Sequence, residues 1–255
     1  MRTRFTVSEL VWIFRQWRFK CILQRIYIIR QSVWQWLRFW DSYHRYVDLA
    51  APAPPPPLKL LYPCVRDATA TTAIEPTYFY QDAWAFEHIV RSRPALHVDV
   101  GSHHEFVALL SKVVPVTMVD IRPLSLPLES LTFRQGSILN LPFEDGSVPS
   151  VSSLCVVEHI GLGRYGDPLN PNGTEEAISE LKRIVMPGGF LHLSVPLDDI
   201  NCIYFNAHRV FKESYLLQLF QPFEIVQKRY IYGEKFGEDL RPGFGTGCYL
   251  LRRKQ

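Results

Sequence analysis

Two acids and a glycine carry the clearest chemistry in this sequence. Asp99-Val100-Gly101 closes the apolar run that starts at Leu96, and Asp120 closes the run Val116-Thr117-Met118-Val119. The interval from Gly101 to Asp120 is close to the roughly 20 residues that separate a glycine turn from a ribose-binding carboxylate in nucleotide-binding α/β folds. A carboxylate so placed accepts protons from both ribose hydroxyls, so the pair points to an adenosine-type ligand. A dinucleotide needs Gly-x-Gly-x-x-Gly, because its pyrophosphate must approach the backbone closely. Here Ser102 and His103 follow Gly101, which argues against NAD or FAD.

A second group of residues could move protons. Glu158-His159 follows an apolar segment, and histidine titrates near neutral pH, so His159 is the first candidate for a general base. Asp167 and His208 are further candidates. The structural alternative for His159 is a histidine hydrogen-bonded beneath the sheet edge, and for His208-Arg209 a helix cap or ion pair. Ser102-His103-His104-Glu105 reads as a capping box with Ser102 as N-cap. Asp198-Asp199 lacks a third ligand in register, so no metal is expected. The five cysteines, Cys21, Cys64, Cys155, Cys202 and Cys248, are scattered and show no Cys-x-x-Cys pair. This fits a reducing, cytoplasmic compartment better than a disulfide framework or zinc site.

These residues need elements to position them. Strand signals fall at 95–100, 116–120, 131–135, 148–156, 190–195, 223–232 and 247–252. Helix signals fall at 103–112, 174–185 and 210–220. The helix at 174–185 carries Ala177, Ile178, Leu181, Ile184 and Val185 on one stripe, and Pro187-Gly188-Gly189 is expected to break it. Such alternation predicts an α/β fold: a Rossmann-like, doubly wound, mostly parallel sheet ending in an antiparallel hairpin. Ligands of such sheets bind outside the carboxyl ends of the strands. Asp99, Gly101, Asp120, Ser137 and His159 all fall there.

The rest of the chain is different in character. A hydrophobic content of 47% and charged content of 21% are ordinary for a globular protein. The net charge of +3 is unevenly spread. Between Met1 and Trp40 stand Arg2, Arg4, Arg15, Arg18, Lys20, Arg25, Arg30 and Arg38, against the single acid Glu9. Five of the six tryptophans also precede residue 41. Residues 1–50 therefore read as a basic, Trp-rich helical arm. Arginine interrupts it too often for a membrane span or a clean secretory signal. It suits a membrane surface, or alternatively a helical hairpin against a partner protein. Nucleic acid is not expected, since a basic segment alone is weak grounds. Residues 51–66, with Pro52-Ala53-Pro54-Pro55-Pro56-Pro57, read as a stiff linker, and residues 67–255 as the α/β domain.

Within that domain, five segments resemble class I S-adenosylmethionine-dependent methyltransferases. They are Val98-Asp99-Val100-Gly101, Val119-Asp120, Gly136 to Phe143, Val157-Glu158-His159-Ile160, and Glu180 to Gly189. The stretches Glu158 to Pro168 and Phe205 to Phe211 are similar to an uncharacterised branch associated with surface-polysaccharide genes. The resemblance implies S-adenosylmethionine as cofactor, which carries no phosphate and tolerates a less open turn. It places Asp99 and Gly101 at the methionine end, Asp120 on the ribose, Ile121 against adenine, Ser137 and Ile138 at the adenine edge, and His159 near the transferable methyl. Taken together with the basic arm, it leads to the expectation of O-methylation of a sugar or small-molecule acceptor, with the arm bringing the enzyme to the inner face of the cytoplasmic membrane. The alternative is a non-catalytic scaffold or glycan-binding protein that keeps the fold. The segment from Gly161 to Gly173 reads either as a lid or as a rigid turn.

Overall fold

The computed structural model describes residue 29 and residues 32–255. Most of the basic arm, including Trp12, Trp17 and all its charged residues before Arg38, lies outside the described residues. The chain divides into two compact units, Met1–Ala73 and Ile74–Gln255.

In the first unit, residues 32–50 form helix α1. Its aromatic side chains stack edge to face in the series Trp36, Phe39, Trp40 and Tyr43. The proline-rich segment is tied back to this helix, because the Tyr43 hydroxyl donates to Pro56 O at 3.0 Å. The Arg38 guanidinium donates to Ala68 O at 3.2 Å. Trp34, Leu37 and Leu49 are exposed. Among the described residues, no helix is long and apolar enough to cross a membrane.

The second unit opens with α2 (Pro76–Ser92), which the sequence reading missed. Pro76 occupies the first turn, where its missing N–H costs nothing, and the Glu75 carboxylate accepts from Tyr78 N at 2.8 Å. Then follow β1 (His97–Val100), α3 (His104–Leu110), β2 (Val116–Asp120), β3 (Leu131–Gln135), β4 (Val148–Leu154), α4 (Gly173–Ile184), β5 (Val185–Leu197), β6 (Cys202–Tyr204), β7 (His208–Val210), α5 (Glu213–Leu219), β8 (Glu224–Tyr232), β9 (Lys235–Gly237) and β10 (Gly245–Arg252). The main sheet has the order β3-β2-β1-β4-β5-β10-β8-β9. Strands β3, β2, β1, β4 and β5 are parallel to one another. Strand β10 inserts antiparallel between β5 and β8, as the closing hairpin signal anticipated.

Strand residues alternate between the two faces. Val98, Val151, Leu191 and Leu193 bury one face under α4 and α5, against Ile178, Leu181 and Leu216. Trp84, Ile89, Phe106, Val107 and Leu110 of α2 and α3 cover the other. The strand order reverses between β1 and β4, and the crevice over their carboxyl ends is the cofactor position of such sheets.

Three local expectations are corrected. Helix α3 is capped by His103 without a side-chain bond, so there is no capping box. Ser102 Oγ instead accepts from Leu154 N at 3.0 Å, stitching the turn to β4. Pro187-Gly188-Gly189 lies inside β5 rather than ahead of it, absorbed by a shift in the β4–β5 register between Val148 and Ser150. The helix expected from Val210 begins only at Glu213. Residues 208–210 pair with Cys202–Tyr204, around a turn in which Asn206 adopts φ +63, a conformation asparagine tolerates.

Candidate active site

A cavity of about 840 Å³ opens at the carboxyl ends of the parallel strands, within the size range of small-molecule sites. Gly101 follows β1, Asp120 ends β2, Cys155, Glu158 and His159 follow β4, and His208 begins β7; all six line it. Tyr78 and Glu75 reach it from the start of α2.

Gly101 has φ +73, and a Cβ there would stand 3.0 Å from a Val156 methyl. Glycine suits the positive φ, and a side chain would crowd Val156. Asp120 Oδ1 accepts from Arg122 N at 2.8 Å. Its Oδ2 takes no hydrogen bond from the described residues, so one carboxylate oxygen at the end of β2 is open to a ligand.

Asp99 does not line the cavity. It is fully buried behind the turn, where Oδ1 accepts from Ser102 N at 3.1 Å and Oδ2 from Ser152 Oγ at 2.5 Å. Because the Ser152 hydroxyl donates to Asp99, its oxygen accepts from His97 Nε2 at 2.9 Å, and His97 Nδ1 in turn accepts from Ser150 Oγ at 2.8 Å. Burial pushes His97 well below the ordinary histidine range, so the ring is neutral, as this chain of bonds requires. Burial pushes Asp99 up to about 6, against the bonds from Ser102 and Ser152. The sequence reading missed this network because His97 and Ser150 lie on different strands, and only the register His97↔Ser150 brings them together.

His159 sits on a single 3-10 turn, Val157–His159. Its Nδ1 is 2.6 Å from Ala207 O. A carbonyl can only accept, so Nδ1 carries the proton and Nε2 presents its lone pair. Arg164 Nη1 donates to the same carbonyl at 3.0 Å. Burial, with the positive charge of Arg164 adding to it, pulls the imidazole down to about 4. It is neutral at physiological pH.

Glu158 is the functional group the sequence reading left unassigned. Its Oε1 lies 3.7 Å from His159 Nε2. Its Oε2 is buried and has no partner among the described residues. Burial pushes this carboxyl up to about 8, so it is protonated at neutral pH. Its residue type was visible in the sequence, but not its burial. Cys155, at the strained φ of +52, donates through Sγ to the buried Gln81 Oε1 at 3.2 Å, and burial raises its thiol.

The remaining candidates are placed differently. Asp167 does not line the cavity. Its oxygens cap backbone N–H groups of Gly161 at 2.7 Å and Tyr165 at 3.2 Å, which leaves it holding the loop rather than facing a substrate. Ile121 also stands outside the cavity lining. Ile138 is buried in the core, and Ser137 Oγ accepts from Leu139 N at 3.2 Å. The adenine-edge role assigned to Ser137 and Ile138 thus has no exposed surface at the cavity, where Met118, Leu124, Leu126 and Phe133 stand instead. The acids Asp198 and Asp199 turn the chain, with Asp199 Oδ2 accepting from Gly243 N at 3.0 Å.

The fold of this sheet is that seen in S-adenosylmethionine-dependent methyltransferases. The chain is similar to a 1,6-didemethyltoxoflavin-N1-methyltransferase from Burkholderia thailandensis, solved with S-adenosylhomocysteine, at 16% identity and a TM-score of 0.55 over 88% of each chain. It is also similar to the N-methyltransferase NodS from Bradyrhizobium japonicum, solved with S-adenosylhomocysteine, at 13% identity and a TM-score of 0.53, over 71% of this chain and 89% of that one. The [4+2]-cyclase SpnF shares the fold at 14% identity and a TM-score of 0.50, over 68% of this chain and 81% of that one. More particularly, residues 145–239 match the family described as Caenorhabditis protein of unknown function, DUF268. That segment holds Glu158, His159, Arg164 and His208, but not Gly101 or Asp120. No curated protein matches the chain.

Proposed function

We propose that this chain is an S-adenosylmethionine-dependent methyltransferase that methylates a hydroxyl of a sugar or small metabolite. The observation that carries the proposal is one cavity holding the open Asp120 Oδ2, the side-chain-free Gly101 turn and the His159 lone pair. The residues present fit the cofactor. Asp120 would accept the ribose hydroxyl protons, Gly101 would admit the methionine end, and Met118, Leu124, Leu126 and Phe133 would give the purine an apolar bed.

When bound, the cofactor supplies an electrophilic methyl group on a sulfonium. The work left to the protein is to hold a nucleophile in line with it and to receive a proton. His159 Nε2 receives that proton, with Nδ1 anchored on Ala207 O so that the ring cannot turn away. A base weakened by burial suffices, since the attacking oxygen becomes strongly acidic as the new O–C bond forms. The neutral Glu158 beside it adds no negative charge that would hold a second proton on the imidazole.

The basic arm of residues 1–50 would bring the enzyme to the inner face of the cytoplasmic membrane, and to a lipid-linked glycan there. Its excess of arginine and the exposed Trp34 support this reading.

The test is transfer of label from methyl-tritiated cofactor to a panel of hydroxylated acceptors. Label in a methyl ether supports the proposal, and label only in amines contradicts it. A second reading, a non-catalytic scaffold, is favoured by Ser102-His103 standing where an open glycine turn would be expected. It predicts no transfer to any acceptor.

A further inference from the structure

The mouth of the cavity carries a constellation that methyl transfer itself does not require. The Arg122 guanidinium lies 4.5 Å from the ring centre of Tyr165, and the Arg164 guanidinium lies 5.1 Å from the same ring. All three line the cavity. Two cations therefore converge on one aromatic side chain, held there by its ring electrons and set against their mutual repulsion.

No carboxylate neutralises the pair well. Among the described residues Arg164 makes no ion pair, and its Nη1 is spent on Ala207 O. Arg122 meets Asp120 Oδ1 at only 3.5 Å. Asp167 is occupied by backbone N–H groups. His159 and His208 contribute no charge at neutral pH, because burial pulls both below the ordinary range. Glu158 turns no charge toward the arginines either, since its carboxyl is protonated there.

The same rim presents ring faces. Phe244 lines the cavity 6.2 Å from the ring centre of His208 and is exposed; outside the lining, Tyr204 leans on the same His208 at 5.2 Å. Glu158, whose buried Oε2 has no partner among the described residues, also lines the cavity. A ligand that satisfies this surface has an anionic group for the forked guanidinium donors. It also has a ring for the aromatic faces, and a hydroxyl within reach of Glu158 and His159.

We propose that Arg122, Arg164 and Tyr165 form an anion subsite, so that the acceptor is a hydroxylated ring bearing a carboxylate or phosphate, as in a sugar acid or sugar phosphate. This rests on the reading of the cavity as a methyltransferase site. It adds which acceptors can enter.

The test is calorimetric titration of the full chain at low salt with glucuronate, glucose 6-phosphate and glucose, and separately with S-adenosylhomocysteine. The expected result is that at least one anionic sugar binds about tenfold or more tighter than glucose. Whether glucuronate or glucose 6-phosphate binds tighter identifies the anion. Arg164→Gln and Arg122→Gln each weaken that binding by about tenfold, and the double variant loses the preference over glucose. Arg164→Gln leaves S-adenosylhomocysteine affinity within about twofold, because Arg164 stands beside His159 and Ala207 rather than beside Asp120. Both arginines are exposed, so neither change threatens the fold. The subsite is overturned if glucose binds as tightly as both anionic sugars, if none of the three binds, or if the double variant keeps the preference. Anionic sugar binding without S-adenosylhomocysteine binding would remove the methyltransferase reading and leave the subsite standing.

Discussion

Glu158 and His159 are adjacent in sequence but titrate in opposite directions for a common reason. Each charged form would be stranded in a poorly solvated pocket. The consequence for stability can be signed. The folded Glu158 carboxyl sits at about 8, above the roughly 4.3 of a free glutamate. The folded state thus holds the extra proton between those values, and stability falls as pH rises across that window. His159 and His192 sit at about 4, below the roughly 6.5 of a free histidine. There the unfolded state holds the extra protons, and stability is lost as pH falls from 6.5 toward 4. Glu158→Gln removes the Glu158 share of the alkaline limb and leaves the acid limb in place. Its thermal midpoint should exceed that of the parent at pH 8 by at least about 4 °C, and the two should converge near pH 5. A constant offset across that range would show that Glu158 is not protonated in the folded chain.

The element that decides the shape of the site is the loop between the 3-10 turn and α4. Its ends close on themselves, since Asn170 N donates to Gly161 O at 3.0 Å. From below, the buried Arg209 donates to Ile160 O at 2.5 Å, Asn170 O at 3.2 Å and Pro171 O at 3.3 Å. These bonds hold the base of the loop. Gly161 has φ +80, and a Cβ on it would fall 2.1 Å from Asn170 O. Gly161→Ala must break that closure, at a cost of about 3 kcal/mol or a midpoint lower by roughly 6–12 °C. A melting curve unchanged within 2 °C would mean that the loop gives way freely. Arg209 was read as a cap or ion pair, and it is neither: it is the fastener. Sequence could not reveal this, because its carbonyl partners carry no side-chain signature. Strands β2 and β3, by contrast, were legible to the residue: β2 is a short apolar run, and β3 alternates Leu131 and Phe133 with polar residues between breaks. Helix α2 was missed because it begins straight after an irregular stretch and was absorbed into the domain start. Strands β6 and β7 are three residues each, too short for alternation to register. In the site, Gly101, Asp120 and His159 were legible from type and spacing. The unpaired Glu158 and the Asp99–Ser152–His97 chain were not, because burial and cross-strand register made them.

At the scale of the whole molecule, two compact units carry different chemistry: one an aromatic, basic segment, the other the sheet and cavity. If the first serves a membrane surface, the full chain should sediment with vesicles containing anionic phosphatidylserine. A chain beginning at Leu58 should remain in the supernatant, and raised salt should release the full chain by screening its arginines. Equal sedimentation of both would remove the membrane assignment and leave the arm to a protein partner.

The proposed activity requires that the cavity over β1, β2 and β4 take an adenosyl cofactor held by Asp120. Calorimetric titration of the full chain and of Asp120→Ala with S-adenosylhomocysteine measures this directly. The prediction is saturable binding at one site, weakened about tenfold or more by the substitution, since a lost charge-assisted bond to a hydroxyl pair is worth about 1.5–3 kcal/mol. No binding at millimolar ligand, or equal affinity in the two proteins, would contradict it.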